Sequence, residues 1–432
     1  MTERILIAGG LVIDPSQNLE AVRDVLIENG RIAAVKAGLS KKKRAPGTRV
    51  IEAKGCWVLP GLIDMHVHLR EPGREGDETI TTGTRAAAKG GVTTVLAMPN
   101  TEPAIDTPAM VRLVLSRGRA EAKVNVLVAG AVTKGQKGLE LAELGKLAGA
   151  GAVAVSDDGR PVMNAQLMRR ALERAKAVGL PILDHCEDVL LSAGGVMNEG
   201  AAALRKGVAG IPAASEAVMA MRDITLAELT GGRLHLCHVS CAETVEAVRR
   251  AKRRGARVTA ETAPHYFTLT DADVPDDDAN FKMNPPLRSK ADRAAVLEGL
   301  ADGTLDAVAT DHAPHAPAKK ALGLAAAPFG VIGLETLLPL TLALVERGVL
   351  SRRQAVERLS AAPARILGLK TKGSLKPGMD ADVTVVDPAA RWTAGNFESK
   401  SANSPFAGRK LRGRAEAVIV GGQVVLEGGK LL

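Results

Sequence analysis

Two histidines, His66 and His68, stand two residues apart in the run LIDMHVH (62–68). On a β-strand that spacing turns both imidazoles to the same face. Burying two separately satisfied imidazoles on one strand gains nothing, so the pair is better read as part of a metal centre, which needs further histidines and carboxylates to converge on it. Candidates stand at the ends of other β-like runs: Asp157 and Asp158 in AVAVSDD, His185 in PILDHC, His238 in LHLCHVS and Asp311 in DAVATDH. A single buried histidine is more often a satisfied core residue than a ligand, so parity has to sort them. Leu234, Leu236 and His238 share one face of their run and His235 takes the other, toward a helical layer, which marks His238 as the ligand and His235 as structural. Only one of Asp157 and Asp158 can face inward, and periodicity alone does not choose between them. Four histidines and two carboxylates over-supply a single zinc, so two ions bridged by a carboxylate and a hydroxide are favoured over one. Water bound to such an ion loses its proton near neutral pH and can attack an amide carbonyl. Asp311, on the last run, is the acid/base candidate that carries the proton to the leaving nitrogen.

These residues need a scaffold that gathers strand ends. Eight β-like runs, at 62–68, 92–98, 124–132, 152–158, 181–186, 234–240, 257–263 and 306–312, alternate with segments of helical period, among them Asn164 to Val178, Ser215 to Leu229 and Ala242 to Arg254. Such a repeat predicts an α/β fold, a (β/α)8 TIM-type barrel, whose chemistry lies at the C-terminal ends of its strands. A doubly wound open sheet is the alternative, but it predicts no meeting of the first and last strands. The two ends of the chain read differently. ILIAGGLVID and DVLIENGRIAAV at one end, and ADVTVVDP and AVIVGGQVVLEGGKLL at the other, are short strands around Asn-Gly and Gly-Gly turns. We therefore expect residues 1–60 and 371–432 to form one small β-sandwich and residues 61–370 the catalytic barrel.

At 432 residues and 46% hydrophobic content, the chain can bury a large core without staples. Its four cysteines form no CxxC pair and read as reduced thiols; Cys186 and Cys237 alternate away from the ligand face and read as packing residues. The net charge of +9 would suit nucleic acid, but aromatic residues make up only 2% of the chain and the basic residues are scattered. The one dense basic run, Lys41 to Arg44, reads as a solvated loop. The opening apolar run is too short for a signal peptide and nothing approaches a membrane span, so a cytoplasmic protein with neither nucleic-acid nor membrane partner is expected.

Taken in order, PGLIDMHVHLREPG (60–73), AMPNT (97–101), VSDDGRPV (155–162), LDHCED (183–188), CHVS (237–240), FKMNPPLR (281–288), ATDHAPH (309–315) and APFGVIGLET (327–336) resemble the amidohydrolase superfamily. Within it they resemble the dihydroorotases that bridge their metals with an aspartate, over nearly the whole chain. The resemblance implies zinc, with His66, His68 and Asp311 on a first ion, His185 and His238 on a second and Asp158 as the bridge. It implies substrate contacts from His68, Leu69, Arg70, Asn100, Asn284 and His315, with backbone from Phe329 and Gly330. Arg70 has a physical rationale, since a guanidinium forks onto a carboxylate as an amide cannot. The implied reaction is the reversible cyclisation of N-carbamoyl-L-aspartate to (S)-dihydroorotate and water, the third step of de novo pyrimidine synthesis. The implied protein partners are a second copy in a homodimer and aspartate transcarbamoylase. Hydantoinases place a carboxylated lysine at the fourth-strand bridge, and AVAVSDD has no lysine. A non-catalytic homologue would be expected to lose ligands that this chain keeps. The loop after His315, APAKKALGLAAAPFG, departs from the family in lacking an acidic residue near its middle.

Overall fold

In the computed structural model, which describes residues 4–41 and 45–432, eight parallel strands form a nearly closed barrel. They are Leu62–Val67, Val92–Ala97, Asn125–Gly130, Ala154–Val155, Ile182–Asp184, Leu234–Leu236, Val258–Thr262 and Ala307–Val308, one from each expected run. They neighbour one another in sequence order, and a parallel bridge between Val67 and His312 brings the last strand back to the first. The His68 amide donates to the His312 carbonyl at 2.8 Å across that seam.

A helix follows each strand, as a parallel sheet requires. The three helices expected from periodicity form over Ala165–Ala177, Ala214–Thr230 and Ala242–Arg253. Asn164 caps the first of these, its side chain accepting from the Leu167 amide. Outward residues such as Val155, Ile182, Leu234, Leu236 and Val308 pack against the helical layer in the main core. The barrel interior holds Met65, Leu96, Met98, Ala129, Ala154, Leu183, Cys237, Ala307 and Ala309, plugged by Ile366 and Leu367 from the helix Ala362–Leu367.

This corrects the parity assignment on the sixth strand. Leu234 and Leu236 face the helices, while His235 and Cys237 face the barrel interior. His238 nevertheless turns inward, because its backbone is left-handed (φ 38°) and breaks the alternation where the ladder ends. Cys186 does face the helices, beside Asp184 and Asp223.

Both ends of the chain join a second, nine-stranded sheet with its own core, in which Ile5, Ile7, Val25 and Ile27 meet Val383, Val385, Ala417 and Ile419. The Asn29-Gly30 hairpin turn has φ of 53° and 71°, the two left-handed residues a type I′ turn needs. Of the basic run expected to be a loop, residues 42–44 lie outside the described residues, as does the start of the chain through residue 3. Between the strands Val383–Thr393 and Lys410–Val420 the chain leaves this sheet and reaches the barrel mouth, where Asn403 donates to the carbonyls of Ala313 and Gly330 at 3.1 and 3.0 Å.

The first and last units of the barrel pack closely at Gly90, at the C-terminus of the helix Ile80–Lys89: a Cβ there would lie 2.1 Å from the Leu334 carbonyl oxygen. Gly90→Ala should therefore destabilise the fold by about 1–3 kcal/mol, as for overpacking elsewhere, read as a lower denaturation midpoint at unchanged secondary structure.

Candidate metal centre

The strand ends bring Asp158 into the middle of four imidazoles. Its Oδ1 lies 3.3 Å from His66 Nε2, 3.6 Å from His238 Nε2 and 3.7 Å from His185 Nδ1, and its Oδ2 lies 3.4 Å from His68 Nε2. Asp311 completes the group, 3.0 Å from His68 Nε2 and 3.5 Å from His66 Nε2. A bulge between Asp64 and Val67 resets the first strand so that Met65 faces the interior while His66 and His68 still share the side that meets Asp158. The neighbouring Asp157 does other work: it accepts from the Val132 and Thr133 amides at 2.8 and 3.1 Å and from the Thr133 hydroxyl, anchoring the loop after the third strand.

All six side chains are buried, and their polar atoms are incompletely satisfied by one another. His66 Nε2, Asp158 Oδ1 and His238 Nδ1 have no hydrogen-bond partner in a place where such orphans are rare. Two groups of three offer ligand atoms within 4.8 Å of one another: His66, His68 and Asp311; and His66, Asp158 and His238. Mixed imidazole and carboxylate donors suit zinc and neighbouring divalent ions, so the donor set fits a cation. His185 stands at the edge, with Nδ1 2.9 Å from His238 Nε2 and Nε2 2.9 Å from Glu187.

Charges in the cluster are strongly coupled. Burial alone would lower the pKa of His66 and raise that of Asp158; instead the Asp158 carboxylate holds His66 well above its usual range, and His66 helps hold Asp158 well below. Burial likewise opposes ionisation of Asp311, yet His66 and His68 bring it down to about 2. His185 is pushed up to about 9 against burial, by Glu187 before Asp158.

The backbone is unusual here too. Arg70, His238 and Asp311 are left-handed, with φ of 59°, 38° and 48°. For residues other than glycine and asparagine that region is uncommon, and such strain tends to cluster at functional sites.

Two supporting residues escape a reading by strand ends. Glu261 lies 3.1 Å from His66 Nδ1 and 3.3 Å from His235 Nε2, so His235 belongs to the layer beneath the centre. Glu187 bridges His185 and the Asn284 amide at 2.9 and 3.0 Å. Such carboxylates orient imidazoles for a metal. The available signals were a glutamate inside the β-rich RVTAETA and one two residues beyond His185. Glu261 also groups with Cys237 and His66.

On the other side of the centre, Asn100 Oδ1 accepts from His68 Nδ1 at 2.8 Å, which places the ring proton on Nδ1. Its amide nitrogen donates to Asp158 at 3.4 Å. Arg70 donates from Nε to the Pro314 carbonyl at 3.2 Å, with its guanidinium 3.5 Å from His315 Nε2. His315 Nε2 lies 2.7 Å from the Phe329 carbonyl, leaving Nδ1 without a partner. Burial, then the Arg70 charge, push His315 down to about 3. Gly330 has φ 136°, and a Cβ there would sit 2.7 Å from the Ala313 carbonyl oxygen. Leu69 differs from the rest: its side chain packs in the main core against Gly83, so only its backbone can face the mouth.

Fold and centre together are those of the amidohydrolase superfamily. Among solved structures the chain is similar to an L-hydantoinase (dihydropyrimidinase) from Arthrobacter aurescens, with a TM-score of 0.89 and 27% identity over all of this chain and 98% of that one. It is also similar to a D-hydantoinase from Thermus sp., with a TM-score of 0.82 and 27% identity over 99% and 96% of the two chains. Residues 55–244 match the family model described as dihydro-orotase-like. Sequence relatives are closer: a dihydroorotase of Geobacter sp. (strain M21) is 52% identical over 98% of this chain and 100% of its own length, and one of Anaeromyxobacter dehalogenans (strain 2CP-C) is 52% identical over 100% and 99%. The chain belongs to the dihydroorotase family.

The two adjacent aspartates give a direct test. Asp158→Ala should cut bound metal per chain by at least half in elemental analysis. Asp157→Ala should keep the parental metal content while costing about 1–3 kcal/mol of stability, the penalty for leaving buried donors unpaired.

Proposed function

We propose that this chain interconverts N-carbamoyl-L-aspartate and (S)-dihydroorotate as a step of pyrimidine synthesis. The observation that carries the reading is Arg70. Its guanidinium is buried, and among the described residues no carboxylate lies within ion-pair distance of it. Burial, then Arg74, push its pKa down to about 10, as expected of a cation awaiting a counter-charge. A substrate carboxylate would supply that charge, and the planar fork would fix its orientation.

We assign His66, His68, Asp158, His185, His238 and Asp311 to one or two divalent cations, two zinc ions being favoured. Lewis acidity toward the scissile carbonyl, and a water that ionises near neutral pH, are what such cations supply when bound. The remaining work falls to the chain. Arg70, Asn100 and His315, with the Phe329–Gly330 backbone beside His315, hold the carboxylate and the ring, and Asn284 lies on the other wall, so that the reacting carbonyl is presented to the centre. His315, neutral and donating to Phe329, keeps its second nitrogen for the substrate. In hydrolysis Asp311 takes the proton from the attacking water; as the carbon–nitrogen bond breaks, it passes that proton to the ring nitrogen. Cyclisation runs the same path backwards, with the amide nitrogen giving its proton to Asp311 and water leaving.

The barrel and terminal-sheet divisions at residues 60 and 370 are our reading of the domain organisation. A homodimer, association with aspartate transcarbamoylase and a cytoplasmic location belong to the same proposal. Among the described residues no helix is long and apolar enough to cross a membrane.

Asp311→Asn should keep its metal and lose at least 99% of dihydroorotate turnover; retention of more than a few per cent would remove Asp311 from the proton path. Arg70→Lys should raise KM at least tenfold, about 1.4 kcal/mol of binding, and an unchanged KM would place the substrate carboxylate elsewhere. Parental turnover of hydantoin but not dihydroorotate would redirect the whole reading to another cyclic ureide.

A further inference from the structure

A second buried cation lies behind the substrate side of the site. The loop 316–330 is built from two short helical turns, Pro317–Lys320 and Gly323–Ala326. Lys320, at the end of the first, points away from solvent with only 7% of its surface exposed. Among the described residues no carboxylate pairs with it. Its ammonium instead donates to three carbonyl oxygens, those of Lys282 at 3.2 Å, Pro328 at 3.0 Å and Gly330 at 2.9 Å. That uses the full donor capacity of an ammonium.

These three carbonyls belong to the two strips of backbone that flank the proposed substrate. Lys282 precedes Asn284 by two residues; Pro328 and Gly330 enclose Phe329, whose own carbonyl faces His315 at 2.7 Å. The Gly330 amide also donates to the Lys282 carbonyl at 2.9 Å. Lys282 returns the contact, donating from Nζ to the Ala325 carbonyl at 2.9 Å and lying 4.7 Å from the centre of the Phe329 ring. The loop is also held by an acidic residue from outside it: Asp277 accepts from the Leu324 amide at 2.7 Å.

We propose that Lys320 is a positioning residue for substrate binding: by clasping the carbonyls of Lys282, Pro328 and Gly330 it sets the distance between Asn284 on one wall of the site and His315 with the Phe329–Gly330 backbone on the other. This rests on the functional reading above. Burial, reinforced by Lys282, pushes the Lys320 pKa down to about 7, so the ammonium is held at a cost that its three charge-assisted hydrogen bonds offset. Removing the ammonium takes one donor from each carbonyl, leaving Lys282 with the Gly330 amide and Gly330 with Asn403, and frees the loop to move relative to the 281–288 segment.

The test is Lys320→Met in the metal-loaded, full-length protein, a change that keeps an unbranched apolar stem and deletes the donor. KM for dihydroorotate should rise at least tenfold while kcat stays within threefold, because the clasp acts on binding and touches no reacting atom. In the substrate-free protein, amide exchange across 316–330 should quicken while the barrel strands keep their protection. A KM within twofold of the parent, a tenfold fall in kcat at unchanged KM, or unchanged exchange in the loop would each overturn the assignment. If Lys320→Met yields no folded protein, Lys320→Gln carries the test, since its amide restores two donors: an intermediate KM supports the clasp and a parental one overturns it. A parent enzyme with no dihydroorotate turnover would sink the functional reading instead, and the exchange measurement would still decide whether Lys320 holds the loop.

Discussion

A carboxylate buried among imidazoles cannot be left uncompensated, and the protein is arranged around that constraint. Asp158 is almost fully withdrawn from water, and it is drawn in by contributions from strands one, five and six of the barrel as well as its own. Taking an ionised carboxylate out of water costs several kcal/mol unless charge and hydrogen bonds meet it. The orphaned His66 Nε2 and Asp158 Oδ1 show that side chains alone do not complete the arrangement, which is why the cluster reads as a cation site rather than a closed ion-pair network. The imidazoles are held in turn from behind, His66 by Glu261, His185 by Glu187 and His68 by Asn100.

Ladder geometry explains where the ligands stand. The fourth and eighth strands shrink to Ala154–Val155 and Ala307–Val308, and Asp158 and Asp311 lie three residues past them. Freed from regular pairing, the backbone beyond the sixth and eighth strands adopts conformations a strand forbids, as at His238 and Asp311. Small interior residues, Ala129, Ala154, Ala307 and Ala309, fill the barrel beneath without crowding the centre. Rigidity comes from the barrel and chemistry from its ragged upper edge.

How much of this was legible in the sequence follows from the range of the interactions involved. His66 and His68 could be paired because a strand repeats every two residues, and the helices over 165–177, 214–230 and 242–253 because an amphipathic face repeats every 3.6. The hairpin at Asn29-Gly30 was readable from its turn chemistry alone. Parity failed at His235 and Cys237 because the left-handed residue His238, just beyond them, shifted the phase, and no local pattern announces that shift. The choice between Asp157 and Asp158 depended on Thr133, a partner on another strand end. Glu261, Glu187 and Lys320 were missed for a related reason: what gives each its role includes a partner far along the chain, His66 for Glu261, Asn284 for Glu187 and the Lys282 carbonyl for Lys320.

The chain that leaves the terminal sheet to place Asn403 against His315, Ala313 and Gly330 has an architectural consequence. The barrel does not own its whole mouth. Excising it as an independent module would remove a wall fitting along with the sheet, so the two parts are bound to be inherited, fused or rearranged as one piece.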